Sequence, residues 1–351
     1  MNIRCAVVCP IATGGGVSEA FLTCLDMLRD NGVTPIAIIP RDFHFVKRLG
    51  DRGYEVHEID RLEQGGVINL LGQSLALAKT IRKSGADLAV LNNGRHVRWV
   101  KMLLPRLPLV AIYHGGKVSR FLKADRIITI NDDQLQYLKD AGYPEHMAVV
   151  VDNALPLDSL PSYKRRKKWT GQPVIGTLRL LEPAKGVDTL IDAIGILAKC
   201  GLRLQTRIGS NGSQKQMLMD QAARLDIGDL VHFDGWVSDK DAFYGQLNIY
   251  VLPSKAEEWG IGIVEANAAR LPVIATRTLG PKRIVKHEQT GLLVEVDDPV
   301  SMADAIERLV ENPQLAETLA RNGYEHCREN YLFPTVAPLM TKEILSVLEA
   351  D

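Results

Sequence analysis

Strand-like and helix-like segments alternate almost from one end of this chain to the other, and no other feature constrains its fold as strongly. A buried strand-like run, Arg4–Pro10, precedes a helical pattern over Val17–Asp30 with Phe21, Leu25 and Leu28 as its apolar positions. Asn31-Gly32 stops that helix, and Val33–Ile39 reads as a second strand. Further strands are expected at Tyr54–His57, Asp87–Leu91, Leu109–Ile112, Arg126–Ile130 and Met147–Val151, with helical stretches between most of them. Strands joined by crossovers of helical length pair in parallel and need cover on both faces. The expectation is an α/β, doubly wound domain over residues 1–160.

A break follows. Pro156 to Pro173 holds three prolines and the run Lys164-Arg165-Arg166-Lys167-Lys168 without periodicity, so 161–172 reads as a linker. The alternation then restarts. Strands are expected at Val174–Leu178, Arg203–Ile208, Leu230–Phe233, Ile249–Leu252, Val273–Ala275 and Gly291–Val294, and helices at Val187–Lys199, Gln214–Leu225 and Gly262–Ala269. Helical segments at Ser301–Glu311, Pro313–Glu329 and Thr335–Glu349 close the chain. The second domain is taken as 173–334, with 335–351 a C-terminal helix placed to return to the first. Two Rossmann-like domains facing across a cleft would bind ligands beyond the carboxyl ends of their strands, so the loops after strands carry the most weight.

Composition excludes several classes. Apolar residues make up 46% and charged ones 24%, which is incompatible with intrinsic disorder. No apolar run approaches the ~20 residues of a membrane span, and Met1-Asn2-Ile3-Arg4-Cys5 runs into a strand rather than a leader, so a cytoplasmic protein is expected. Forty-two basic residues balance 42 acidic ones, leaving no broad basic footprint for nucleic acid. Five scattered cysteines do not suggest a disulfide framework, and Cys5 and Cys9, without a second pair or a nearby histidine, read as core thiols rather than a metal site.

Three constellations carry chemistry. Thr13-Gly14-Gly15-Gly16 follows the first strand and opens a helix, where glycines let backbone approach an anion. It lacks the G-x-G-x-x-G spacing, and the second strand ends Ile39-Pro40-Arg41 without a ribose-binding acid. A dinucleotide reading weakens, while a phosphate or sugar contact and a plain tight turn stay open. Next, Gly176-Thr177-Leu178-Arg179-Leu180-Leu181-Glu182-Pro183-Ala184-Lys185-Gly186 puts two cations after the first strand of the second domain. Arg179 and Lys185 suit a departing pyrophosphate; taken alone, a solvated Lys185 and a surface Arg179 are the favoured reading. The strongest is Pro253-Ser254-Lys255-Ala256-Glu257-Glu258-Trp259-Gly260-Ile261-Gly262-Ile263-Val264-Glu265-Ala266-Asn267. A helix begins between Glu257 and Glu265, so both carboxylates can serve one ligand, accepting from sugar hydroxyls, while amides near Gly260, Ile261, Gly262 and Ile263 meet phosphates.

With these residues in view, the chain resembles the family 4 glycosyltransferases, which have the GT-B fold and whose hallmark is two glutamates separated by seven residues. Glu257 and Glu265 match it. Tyr113-His114-Gly115, Val150-Val151-Asp152-Asn153, Phe233-Asp234-Gly235-Trp236 and Pro272-Val273-Ile274-Ala275-Thr276 resemble further family elements, as does Gly14–Gly16. Departures are five residues between Arg179 and Lys185 in place of four, Gly209-Ser210-Asn211-Gly212 in place of a tighter turn, and Glu258 where many members carry glycine.

The resemblance implies a retaining, metal-independent hexosyltransferase using a UDP- or GDP-sugar, with no cofactor. Glu257 would hold donor-sugar hydroxyls and Glu265 the nucleotide ribose. Arg179 and Lys185 would stabilise the diphosphate with amides of Gly15, Gly16 and residues around Ile261, and His114 would lie beside the donor sugar. The acceptor, a saccharide or glycolipid, would belong to the first domain and to lipopolysaccharide or other envelope polysaccharide synthesis. Arg95–Arg106 fits a basic amphipathic helix with Arg95, Arg98 and Lys101 on one face and Val97, Val100 and Leu104 on another, and His44–Leu49 has a similar mix. Such segments can dock on an anionic membrane, placing the enzyme peripherally on the inner face of the plasma membrane; a solvated basic face is the alternative. A nucleotide-sugar epimerase of the same fold, and an inactive sugar-nucleotide-binding protein, are the rival functions.

Overall fold

Strands whose side chains are apolar on both faces organise each half of the chain. The computed structural model describes residues 2–9, 16–60, 67–164, 166 and 171–349. The chain divides into two units, Met1–Asp158 with Leu332–Asp351, and Ser159–Tyr331.

The first unit holds seven strands: β1 (Arg4–Val8), β2 (Thr34–Pro40), β3 (Glu55–Ile59), β4 (Leu88–Leu91), β5 (Leu109–Tyr113), β6 (Arg126–Thr129) and β7 (Ala148–Val150). They pair in parallel in the order β3-β2-β1-β4-β5-β6-β7. Cys5 faces Pro35 on one side and Leu88 on the other, so β1 is central. Cys5, Ala6, Val7 and Val8 are all buried, because successive side chains point to opposite faces and both faces are covered. Cys5 and Cys9 are buried and in no disulfide. The edge strand β3 carries Glu55, His57 and Glu58 instead, which deters further pairing.

The helix Gly16–Asp30 follows β1 and buries Phe21, Leu25 and Leu28. A 3-10 turn, Gly94–His96, and the helix Val97–Leu103 follow β4, and Val97, Val100 and Leu104 enter the core beside Leu109 and Phe121. The C-terminal helix Phe333–Leu345 packs on Gly16–Asp30, where Thr341 Oγ1 donates to the Met27 carbonyl at 3.2 Å and Arg126 pairs with Glu343.

The second unit repeats the pattern with β8 (Ile175–Leu178), β9 (Thr206–Gly209), β10 (Val231–Gly235), β11 (Ile249–Leu252), β12 (Val273–Thr276) and β13 (Leu292–Val294), parallel in the order β10-β9-β8-β11-β12-β13. Its core gathers Ile175, Ile208, Ile249 and Ile274 of the sheet with Leu190 and Ile194 of the helix Val187–Lys199 and Ile306 of Pro299–Glu311. Three helices were not anticipated from the sequence: Val46–Asp51, Lys240–Gln246 and Leu279–Ile284, each six or seven residues long.

The segment read as a linker packs on this unit. Tyr163 stacks edge-on against Tyr324 at 5.3 Å, donates to Glu317 at 3.1 Å and lies under the Arg321 guanidinium. Arg166 donates to the carbonyls of Tyr244 and Gly245. Lys164 and Arg166 are thus the described part of the basic run, Arg165, Lys167 and Lys168 lying outside the described residues. Among the described residues no helix is long and apolar enough to cross a membrane.

Candidate active site

In an open parallel sheet the strand order reverses at one point, and the loops leaving the two strands there diverge and leave a crevice. In the second unit that point lies between β8 and β11. Arg179 is the first residue beyond β8, and a 3-10 turn, Pro183–Lys185, carries the second cation. Beyond β11 come Pro253 and Ser254, then Glu257.

These side chains meet. Oε2 of Glu257 accepts from Arg179 Nη2, from Lys185 Nζ at 3.2 Å and from Ser254 Oγ at 3.5 Å. Oε1 has no partner among the described residues. Arg179 is 8% and the Glu257 side chain 13% exposed, whereas Lys185 reaches solvent. Burial pushes the Glu257 carboxyl up, but Arg179 and Lys185 outweigh burial and hold it below its ordinary value, so it is ionised at neutral pH. Nε of Arg179 is buried without a partner among the described residues. The arrangement offers two cations to an incoming anion and one carboxylate oxygen to a hydroxyl.

Backbone contacts fix the two loops against each other. The amides of Lys255 and Ala256 both donate to the Ala184 carbonyl, at 2.9 and 3.2 Å. Gly186 turns left-handed at φ 64°, and a Cβ there would stand 2.0 Å from the Pro253 carbonyl oxygen, so only glycine permits this approach. The Lys255 ammonium bridges Asp188 at 2.8 Å and Asp297 at 2.7 Å. Lys185 and Glu257 are thereby held as one rigid pair of loops.

The helix Ile261–Ala268 begins at Gly260, with φ 105°, and no side chain caps it. Its first turn therefore presents the amides of Ile261 and Gly262, while that of Ile263, also expected to face the ligand, donates to the Gly260 carbonyl at 2.9 Å. Glu265 sits in another network: Oε2 accepts from Tyr244 at 2.8 Å and Oε1 from Lys240 at 2.6 Å. Tyr250, fully buried on β11, packs edge-on against Tyr244 at 5.6 Å, and its hydroxyl has no hydrogen-bond partner among the described residues. Burial pushes that hydroxyl up to about 12, Arg179 pulls it down, and Glu265 and Glu257 push it up. Trp259 faces away from this chemistry, packing edge-on against Tyr331 at 6.0 Å.

In the first unit the corresponding reversal lies between β1 and β4. Gly16 starts the helix after β1, while Gly14 and Gly15 lie outside the described residues. His114 follows β5, and its Nε2 is 3.0 Å from Oδ1 of Asn92, the residue after β4. Burial pushes the His114 imidazole down to about 4, so it is neutral at physiological pH.

The basic helix expected over Arg95–Arg106 is shorter, and Lys101 is spent on Asp125 at 2.6 Å and the Leu107 carbonyl. Arg98 is exposed over the Trp99 ring. Sequence reasoning missed Lys117, Arg120 and Lys123, exposed and without ion-pair partners among the described residues. Lys117 precedes the 3-10 turn Val118–Arg120, Arg120 closes it and Lys123 lies in the turn beyond, so no periodic pattern marked them. Tyr244, Lys240, Lys255 and Asn92 were also missed, because each reaches the site through a long-range contact.

Residues 161–326 match the model of the glycosyl transferases group 1. Over 303 residues the chain is 28% identical to a lipopolysaccharide core biosynthesis glycosyltransferase, LpsE, of Rhizobium meliloti, covering 80% of this chain and 88% of that one. LpsD of the same organism, also a lipopolysaccharide core biosynthesis glycosyltransferase, is 24% identical over 327 residues, 91% and 92% of the two chains. Among solved structures, a glycosyltransferase from Rickettsia africae superposes over both whole chains with TM-score 0.86 at 18% identity. HepE of Anabaena, solved with UDP and glucose, does so with TM-score 0.81 at 18% identity.

Proposed function

We propose, for a chain whose residues 161–326 match the glycosyl transferases group 1 and whose fold is GT-B, a retaining hexosyltransferase that takes its sugar from a UDP- or GDP-sugar and passes it to an anionic glycan or glycolipid. The observation that carries this reading is the convergence of Arg179 and Lys185 on one oxygen of Glu257 at the strand-order reversal of the second unit. A donor's diphosphate offers both cations a better-charged partner than one carboxylate. Glu257 is then released to accept from the sugar's hydroxyls, and Glu265 from the ribose. That a structural neighbour was solved with UDP-glucose makes that compound the first donor to try.

The step breaks the bond between the anomeric carbon and the diphosphate oxygen and forms a bond from that carbon to an acceptor hydroxyl oxygen. The departing phosphate oxygen takes the acceptor's proton on the same face, which preserves the anomeric configuration. The transition state resembles an oxocarbenium ion paired with a developing diphosphate charge. Arg179, Lys185 and the first amides of Ile261–Ala268 are oriented before the reaction toward that charge, so they stabilise it without reorganising. Since these residues supply the positive charge, transfer is expected to persist in EDTA.

The acceptor's charge is inferred from Lys117, Arg120 and Lys123, exposed cations shortly after His114 that have no ion-pair partner among the described residues. His114 is read as the first unit's contact to a sugar hydroxyl. The names of LpsE and LpsD agree with a lipid-linked envelope oligosaccharide as acceptor class.

A panel of UDP- and GDP-hexoses, scored by melting temperature and by nucleotide release with lipopolysaccharide core acceptors, tests the proposal. A ligand at 100 times its Kd stabilises by about 2.7 kcal/mol, or roughly 5–10 °C for a unit of this size. One nucleotide sugar should shift melting and release nucleotide only with acceptor. An epimer formed from donor alone would favour the epimerase instead, and silence from the whole panel would overturn the assignment.

A further inference from the structure

The pair formed by Asn92 and His114 contains more information than a single hydrogen bond. Asn92 is 2% exposed and doubly tied to β1: its backbone amide and its side-chain Nδ2 both donate to the Val8 carbonyl, each at 3.2 Å. A carbonyl oxygen can only accept, so the carboxamide nitrogen must face Val8 and its oxygen must face the imidazole. Oδ1 can only accept in turn. The ring nitrogen 3.0 Å from it, Nε2, must therefore carry the hydrogen. Turning the amide over would set two oxygens against each other at Val8.

We infer that Asn92 is a positioning residue that fixes His114 as its Nε2–H tautomer, leaving Nδ1 as an acceptor for a sugar hydroxyl. Nδ1 has no partner among the described residues. Burial alone lowers the proton affinity of the ring, and no charged group among the described residues acts on it, so the neutral ring persists and the tautomer is the only variable left for a neighbour to set. The consequence is chemical. A histidine held this way can receive a proton-bearing hydroxyl in a hydrogen bond, but it cannot donate to a sugar oxygen. The inference rests on the reading that His114 meets the sugar, and it adds what that contact selects.

Nitrogen NMR of the histidine-labelled protein tests it without reference to activity. His114 is identified among the eight histidines by the signal that His114→Gln removes. At neutral pH the expected pattern is a protonated Nε2 and an unprotonated Nδ1. Asn92→Leu should mix the tautomers and lower kcat/KM about tenfold. Asn92→Asp, nearly the same shape, sets a carboxylate against Nε2 and raises the proton affinity of the ring. Activity should then fall on acidification at least one pH unit earlier than in the parent, because a protonated Nδ1 no longer accepts; a residue with only a packing role would not move that limb. A wild-type ring protonated on Nδ1, or an Asn92→Leu ring with its tautomer unchanged, overturns the inference. Full transfer by His114→Ala with the expected wild-type tautomer overturns instead the reading beneath it.

Discussion

In the first unit β1 lies between β2 and β4, and in the second β8 lies between β9 and β11, so the same strand order provides the same reversal twice. The residues placed there differ in kind. Beyond β4 and β5 stand Asn92 and His114, a neutral pair joined by directional hydrogen bonds. Beyond β8 and β11 stand Arg179, Lys185 and Glu257, an ionic cluster whose Arg179–Glu257 pair is buried and whose Lys185 reaches solvent. Identical topology therefore says where a ligand sits and nothing about what it is, since chemistry belongs to the loop residues. On the proposed function, the second unit's cations would serve a ligand whose charge changes during reaction, and the first unit's neutral pair one that must be oriented.

The sharpest test deletes charge where the comparison says charge matters. Lys185→Ala removes one cation while Arg179 keeps Glu257 paired, and turnover should fall about 100- to 1000-fold, the usual loss when one preorganised donor to a developing anion is removed. Glu257→Gln should cost as much. Alanine is the wrong substitution there, because leaving Arg179 buried without its partner would cost about 3–5 kcal/mol of stability and confuse the reading. His114→Gln, which removes a neutral contact, should cost only about tenfold. Equal losses at His114 and Lys185 would erase the distinction between the units.

Much of this division is legible in the sequence, for a physical reason. β1 and β11 are central strands buried on both faces and read as apolar runs, Cys5–Val8 and Ile249–Leu252, and the glycine-marked loops near the reversal announce Lys185 and Glu257. Arg179 was harder to place, because the loop between it and Lys185 is one residue longer than the family's. In the structure this loop is tied by the Leu181 amide donating to the Asn211 carbonyl at 3.0 Å, a contact no local pattern encodes. The helix Lys240–Gln246 is too short to show a period of 3.6, yet it brings Tyr244 to Glu265. Asn92 reaches Val8 across 84 residues of sequence. Periodicity reports what faces the core, whereas these positioning contacts depend on which strands become neighbours.

A smaller effect separates two roles inside the second unit. Glu265 touches neither Arg179 nor Lys185, and its partners are Tyr244 and Lys240. If it holds the nucleotide rather than the departing charge, Glu265→Gln should raise the donor KM about tenfold and leave kcat nearly unchanged. Tyr244→Phe, which loosens the same carboxylate, should raise KM about fivefold, the worth of one ordinary hydrogen bond. A fall in kcat as large as that of Lys185→Ala would move Glu265 into the reacting centre.

A last contrast compares how the stability of the two sites responds to acid, and its sign follows from the direction of each shift. His114 is lowered from 6.5 to about 4 by burial. As pH falls through that window the unfolded chain binds a proton that the folded one does not, so stability drops by up to about 3 kcal/mol and then levels off. Glu257 is lowered from 4.5 by its two cations against the effect of burial. Its contribution is complete above that value and is lost only as pH falls further, through the folded value. The neutral site should therefore weaken the protein in a milder range of acid than the ionic one. Urea unfolding at about pH 7, 5.5 and 4.5 can resolve them: His114→Gln should flatten the decline between about pH 6.5 and 4 while Glu257→Gln leaves it in place. A decline that survives His114→Gln would mean the imidazole takes up a proton in the folded state, and the first unit's site would then be charged in mild acid, as the second unit's already is.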